Sequence, residues 1–309
     1  MRSVWKYLKT HVREDFTTKA YTLIFIFLAL SIFSNYKFDF NDRFLNSQTG
    51  IVKYIHYFIF YSTAYYGALL AIAFSGKDNH FFSRREFWIK SLLAIGVLSL
   101  DSSLPFLRNW IYNTFHSELH YWAYKVGVNL ISFFTILLPL LVFRWLYDRK
   151  EKYRYGLNAM TFDYKPYFQM LMMMLPVLIA ASFHSSFLRQ YPMYKVTSAH
   201  IFLGVPEWVT VMVYEFAYGL DFVTVEFLFR GFMVIGMSSL LGRNAVVSMA
   251  VVYCFLHFGK PPGEAISSVL GGYILGVVAF ETKSIWGGVI VHMGIAWMME
   301  LIAFTQKSL

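Results

Sequence analysis

Long apolar runs separated by short polar stretches set the pattern of this chain. A helix crossing the hydrocarbon core of a bilayer needs roughly 20 predominantly apolar residues. Runs near that length fall at 20–36, 54–76, 88–107, 121–147, 166–187, 205–240, 244–259, 264–281 and 284–305. The pattern predicts an all-α, polytopic transmembrane helical bundle of about eight to nine spanning helices. The run at 205–240 is too long for one crossing, and is expected to lie partly along the surface or to break near Gly219. A break near 190–204 divides N-terminal transmembrane helices (1–195) from a C-terminal core (196–309) that carries the buried polar residues. The lead-in to the first run is basic (Arg2, Lys6, Lys9, Arg13, Lys19) and no small-x-small cleavage site follows it. The first run therefore reads as a retained helix and not as a cleaved signal peptide.

Composition narrows the class. The 309 residues are 57% hydrophobic and 15% charged, with mean hydropathy +0.49, whereas soluble domains carry about a quarter charged residues. The net charge of +9 does not point to nucleic acid, because the basic residues sit in short loops between apolar runs. Lys and Arg concentrate before the first run, in 77–90, in 144–165 and at Arg243, and thin out in 37–53 and 189–198. That alternation predicts an N-terminus in the cytoplasm; a multi-pass protein of the cell inner (cytoplasmic) membrane, surrounded by the lipid bilayer, is expected.

Several residues invite chemistry without carrying it. Cys254 is the single cysteine, which excludes an internal disulfide framework. It reads as a small buried hydrophobe, the alternative being a Cys–His pair with His257. His116 and His120 flank Glu118, but a zinc-protease helix needs its glutamate next to the first histidine. A solvated loop face fits better. His184 reads as a packed residue, and the methionines of QMLMMML (169–175) as gap-filling core.

The back half is different. In VEFLFRGF (225–232), Glu226 and Arg230 stand at i and i+4 and share a helix face. His257 and His292 follow on later apolar segments. Counted at about 1.5 Å per residue from the turns at 241–244 and 284, Glu226 lies ~24 Å deep, His257 ~20 Å and His292 ~12 Å. Ionisable groups at such depth face a protein cavity or a partner. The bare residues leave two readings open: a functional site, or an ion pair with two interhelical hydrogen-bonding histidines.

Taken in order, VEFLFRGF, Tyr253–His257 as YxxxH, and His292 within SIWGGVIVHMGIA resemble the CPBP family of intramembrane peptidases, which includes CAAX proteases and bacteriocin-processing (Abi) enzymes. The resemblance covers about the last hundred residues. The family pattern is EExxxR, an aromatic four before a histidine, then HxxxN or HxxxD. It implies that the first glutamate and first histidine activate water, that the second histidine and the Asn or Asp stabilise the oxyanion, and that the second glutamate pairs with the arginine. Carried over, Glu226 matches the second glutamate, Arg230 the arginine, and His257 and His292 the histidines. Val225 and Ala296 depart from the pattern at the first glutamate and the Asn/Asp. Glu215 lies about 16 Å along the axis from Glu226, too far to substitute directly unless the helix breaks. Glu264 suits a helix N-terminus and is a candidate replacement.

The expectation is an intramembrane endopeptidase in which Glu226, helped by His257, activates water, while His292 polarises the carbonyl of a peptide or membrane-protein substrate, prenylated or not. No cofactor is expected; a zinc variant would use Glu226, His257 and His292 as a His₂Glu set. The alternative is a catalytically degenerate CPBP-like membrane scaffold or immunity-type binding protein, for which Val225 and Ala296 speak. A transporter lacks support, since no paired broken helices or half-to-half symmetry are visible.

Overall fold

The computed structural model describes residues 2–77, 79–104, 106–158 and 163–308. Helices account for every regular element among them: α1 (Arg2–Asp15), α2 (Thr18–Phe38), α3 (Gly50–Phe74), α4 (Arg85–Ser103), α5 (Leu107–Thr114), α6 (His120–Ser132), α7 (Leu138–Leu146), α8 (Lys165–Ser182), α9 (Ser185–Gln190), α10 (Ala199–Phe202), α11 (Glu207–Glu226), α12 (Ser238–Leu241), α13 (Asn244–Leu256), α14 (Pro262–Thr282) and α15 (Trp286–Ser308). A π-helical segment, Phe133–Leu137, joins α6 to α7, and a longer one, Phe227–Gly236, continues α11.

The all-α bundle expected from the apolar runs is what forms, and each run contains a helix. By length and composition, six segments among the described residues are long and apolar enough to cross a membrane: Thr18–Phe38, Gly50–Phe74, Arg85–Thr114, Ser117–Leu146, Pro262–Thr282 and Trp286–Lys307. Asn244–Leu256 is apolar but shorter. The protein is a membrane protein. Pro105, inside the expected span 88–107, lies outside the described residues.

Two expectations change. The long run at 205–240 does not break at Gly219. There α11 is continuous, and the missing Cβ makes room for the Trp297 indole. The irregularity comes later, where the backbone widens into the π-helix directly after Glu226. The basic lead-in is also more than a topology signal. It forms α1, which buries Val4, His11 and Asp15 and packs on α14.

The core is built on α13, which packs against α3 and α14. From Ala245 to Phe255 every α13 side chain is buried, as are all ten residues of the Phe227–Gly236 π-helix. A helix apolar on all sides belongs inside a bundle, and these two are held by their neighbours. Around them α11 packs on α6 and α15, and α15 on α8.

The bundle has two distinct ends. At one, Arg243 pairs with Glu281 and Glu14, and Lys77 reaches Asp15 (2.8 Å) and Asn244 (3.2 Å). Lys90 bonds Asp148 (2.7 Å) and the Gly236 carbonyl (3.1 Å). At the other, Asn35 and Tyr36 donate to the carbonyls of Phe258 and Lys260 (2.9 and 2.8 Å), and Tyr191 donates to Glu264 (3.1 Å). The first end carries the basic segments.

Candidate active site

Glu226 is the last residue of α11, and the π-helix begins behind it. Such widened turns recur at functional sites because they re-aim side chains that a regular helix would stack. Glu226 and Arg230 are both fully buried and form an ion pair at 2.9 Å. The Glu226 atom Oε1 also accepts from the His292 atom Nδ1 at 2.7 Å. Oε2 has no hydrogen-bond partner; it is pressed against α15 at Gly288, where any side chain would collide with the carboxylate.

Tyr253 completes the array. Its hydroxyl lies 2.5 Å from the His292 atom Nε2, so both ring nitrogens of His292 are engaged. With Nδ1 donating to the carboxylate, that tautomer presents a lone pair at Nε2, to which the phenol donates. The Arg230 guanidinium stands 4.5 Å over the Tyr253 ring. Its nitrogens make no well-aligned hydrogen bond, so the ion pair and the ring face hold this cation.

His257 sits at the C-terminal end of α13, half-buried. Its Nδ1 donates to the Tyr253 carbonyl at 2.8 Å, which fixes the tautomer and leaves the lone pair on Nε2. The ring meets Tyr253 edge-on at 4.6 Å. On the other flank, Phe222 stacks on His292 at 5.1 Å. Glu226, Arg230 and His292 are therefore in direct contact, and His257 joins them through Tyr253.

Tyr253 is the residue that the sequence underplayed. It was visible as the aromatic of YxxxH, but its part in linking the two histidines is not readable from spacing. One helical turn puts its carbonyl under His257, while its hydroxyl crosses to α15.

Other candidates separate from the site. Cys254 is buried with its thiol 3.4 Å from the Ala265 carbonyl, and functions as a packed hydrophobe. His116 bonds Glu118 (2.8 Å) in an exposed loop, and His184 caps α9 through Ser186. Glu264 stands in the first turn of α14, facing Tyr191 and Lys260. Glu215 faces Glu300, which accepts the backbone N–H of Met193 at 2.7 Å. Val225 is half-buried against the main core and Ala296 is buried. Among the described residues no three His, Cys, Asp or Glu side chains stand as a metal-ligand set. Both ring nitrogens of His292 are hydrogen-bonded, to Glu226 and to Tyr253.

The floor beneath the site is a loop. Residues 154–156 enter the bundle from the basic end, with Arg154 and Tyr155 in left-handed conformation (φ 49° and 52°). The Tyr155 ring is fully buried and its hydroxyl donates to Asp148 at 2.6 Å. A Cβ on Gly231 would meet the Tyr155 carbonyl oxygen at 2.5 Å, and one on Gly236 would meet its ring at 2.8 Å. Those two glycines are holes into which the loop fits.

Comparison with known proteins agrees with the motifs. A family model described as Rce1-like, type II CAAX prenyl endopeptidase Rce1-like, matches residues 166–298, and this is the CPBP family that the motifs resemble. No curated protein and no solved structure matches the chain.

Proposed function

With the CPBP family matched over residues 166–298 as the premise, we propose that the protein is an intramembrane endopeptidase that hydrolyses a peptide bond within the bundle. The observation that supports this most is the continuous chain Glu226–His292–Tyr253, with a second, correctly tautomerised histidine beside it. Burying the Glu226 carboxylate and the Arg230 guanidinium costs several kcal/mol per ion, a cost that function explains better than packing does.

In this reading His257 is the base. Its Nε2 takes a proton from water as the oxygen attacks the scissile carbonyl carbon; the C–N bond then breaks and the same nitrogen returns the proton to the leaving amine. This assigns to His257 what the sequence assigned jointly to Glu226 and His257. Glu226, paired with Arg230, instead orients His292 by accepting a hydrogen bond from its Nδ1. His292 has no free nitrogen, so it polarises the substrate carbonyl through Tyr253, whose hydroxyl hydrogen turns from Nε2 towards the developing oxyanion. Tyr253 would thereby supply the donor that Ala296 lacks.

The substrate is a peptide or membrane protein, with prenylation left to the assay, and the N-terminus lies in the cytoplasm of an inner-membrane protein. The test is cleavage of a library of hydrophobic-tailed peptides, prenylated and not, by wild type and His257→Ala. Loss of at least 100-fold in the variant is expected; equal cleavage by both would remove the enzyme reading. A second reading, a degenerate scaffold, draws on Val225 and on the full burial of Glu226, whose Oε1 is already shared by two partners.

A further inference from the structure

A cavity of about 520 Å³ opens at the basic end, between α1, the segment 152–158, the start of α8 and the turn that joins α14 to α15. That size falls within the roughly 300–1,000 Å³ of small-molecule sites. The peptidase reading makes no use of it. The span Pro262–Thr282 stops beside it and the span Trp286–Lys307 starts there, which is the level of lipid headgroups.

The walls are mixed. Val4, Tyr167 and Val278 supply apolar surface, and Lys152, Lys283 and Ser284 supply polar groups. The two lysines converge on one ring. The Lys152 and Lys283 ammoniums lie 5.7 and 5.9 Å from the centre of the Tyr153 ring, and Lys283 also stands 4.0 Å over Phe280. An aromatic face attracts a cation but carries no net charge, so two positive charges are gathered here without being neutralised.

The carboxylates nearby are held by other donors. Glu281 pairs with Arg243, Asp163 accepts the backbone N–H of Lys165 (3.1 Å), and Glu151 accepts those of Tyr153 and Tyr155 (2.9 and 2.7 Å). Lys283 is half-buried, and burial holds its pKa below the ordinary value. A cation partly out of water beside a second cation is stabilised by an anion that both can reach. A lysine ending α14 also complements the helix dipole, but that accounts for Lys283 alone and not for Lys152 turned to the same ring. Ser284 adds a donor: its Oγ accepts the Trp286 N–H at 3.3 Å, leaving the hydroxyl hydrogen to give. A phosphate carries several acceptor oxygens on one centre and can take two ammoniums and a hydroxyl at once. Basic pockets between the ends of membrane helices bind such groups.

We propose that this cavity binds a phosphate-bearing anion through Lys152, Lys283 and Ser284, with the less polar part of the ligand resting on Val4 and Tyr7 of α1. A lipid headgroup and a small soluble phosphate share that chemistry. The site is independent of the peptidase reading.

The full chain, purified in detergent and stripped of lipid, tests it by calorimetric titration and thermal unfolding with dioctanoyl phosphatidylglycerol, glycerol 3-phosphate and dioctanoyl phosphatidylcholine. Saturable binding of a phosphate anion is expected, with a rise in the unfolding midpoint. Binding of phosphatidylglycerol alone identifies a lipid headgroup as the source, and comparable binding of glycerol 3-phosphate a soluble one. Lys152→Gln with Lys283→Gln should weaken binding at least tenfold. Lys6→Gln with Lys9→Gln makes the same charge change at exposed positions of α1 and should alter binding less than about twofold. Lys152 is exposed, so Lys152→Gln alone, with an expected loss of about threefold or more, serves should the double variant fail to fold. Failure of both anionic probes to saturate, phosphatidylcholine binding as tightly as phosphatidylglycerol, or equal losses in the two double variants would overturn the proposal.

Discussion

Glu226 and Gly288 are complementary surfaces. A Cβ on Gly288 would lie 2.6 Å from the Glu226 carboxyl carbon, with Oε2 closer still. The carboxylate is thus clamped between Arg230, His292 and a bare stretch of α15 backbone. Gly288→Ala should push it off His292. Overpacking of this kind costs about 1–3 kcal/mol, and the protein should remain folded while cleavage falls more than tenfold. Thermal unfolding in detergent and peptide turnover measured on the same preparation check both halves; unchanged turnover would show that the carboxylate has room to spare.

Removing the charge of Glu226 separates structure from chemistry. Glu226→Gln leaves Arg230 buried and unpaired, a change typically worth about 3–5 kcal/mol. Replacing both, as Glu226→Gln with Arg230→Met, should recover most of that stability, yet cleavage should stay at least 100-fold down. Recovery of both together would mark the pair as scaffolding.

Tyr253→Phe deletes one hydroxyl and keeps the ring under Arg230. The net loss of stability should be near 1 kcal/mol. If the phenol serves the oxyanion, kcat should drop roughly 10- to 100-fold with KM within about twofold, as expected when a transition-state contact is lost. A KM effect alone would place the hydroxyl in substrate binding.

Val225→Glu restores the family's first glutamate. With His257 as base, turnover should change by less than about threefold. A gain of tenfold or more would identify the natural chain as a degenerate relative.

At the basic end, His11 of α1 is buried beside Arg243 (3.2 Å), which donates to its Nδ1, and Asp15, with Glu281 and Lys77 nearby. Burial pushes its pKa down to about 4, below the usual 6.5. Above pH 6.5 the imidazole is neutral whether α1 is docked or not. Between 6.5 and 4 the released helix takes up a proton that the docked one refuses, so docking weakens as pH falls, by on the order of 3 kcal/mol in full. Hydrogen exchange across α1 should accelerate from pH 7 to pH 5. His11→Gln should flatten that dependence, and an unchanged slope would point to another group.

Much of this was legible in the sequence. The apolar runs locate the helices because lipid demands internally satisfied backbone over a fixed thickness. Glu226, Arg230, His257 and His292 stood out because charge in such runs is costly. What escaped was set by contacts between distant segments. The π-helix after Glu226 has no local sequence mark, and the hydrogen bond from Tyr253 to His292 spans 39 residues. The basic lead-in looked like a topology signal, since its apolar face (Val4, Leu8, His11) is too narrow to register as a span. Gly219 looked like a break because its role depends on Trp297.

The loop under Gly231 and Gly236 precedes every residue of the matched family region. A fragment holding 166–298 would keep all four polar residues and still lack its base plate, along with the α3 wall against α13. Such a fragment would leave Gly231 and Gly236 without the Tyr155 loop that fills the space beside them. The front half, which carries none of the signature residues, thereby supplies the packing that holds the π-helix and α13 in place.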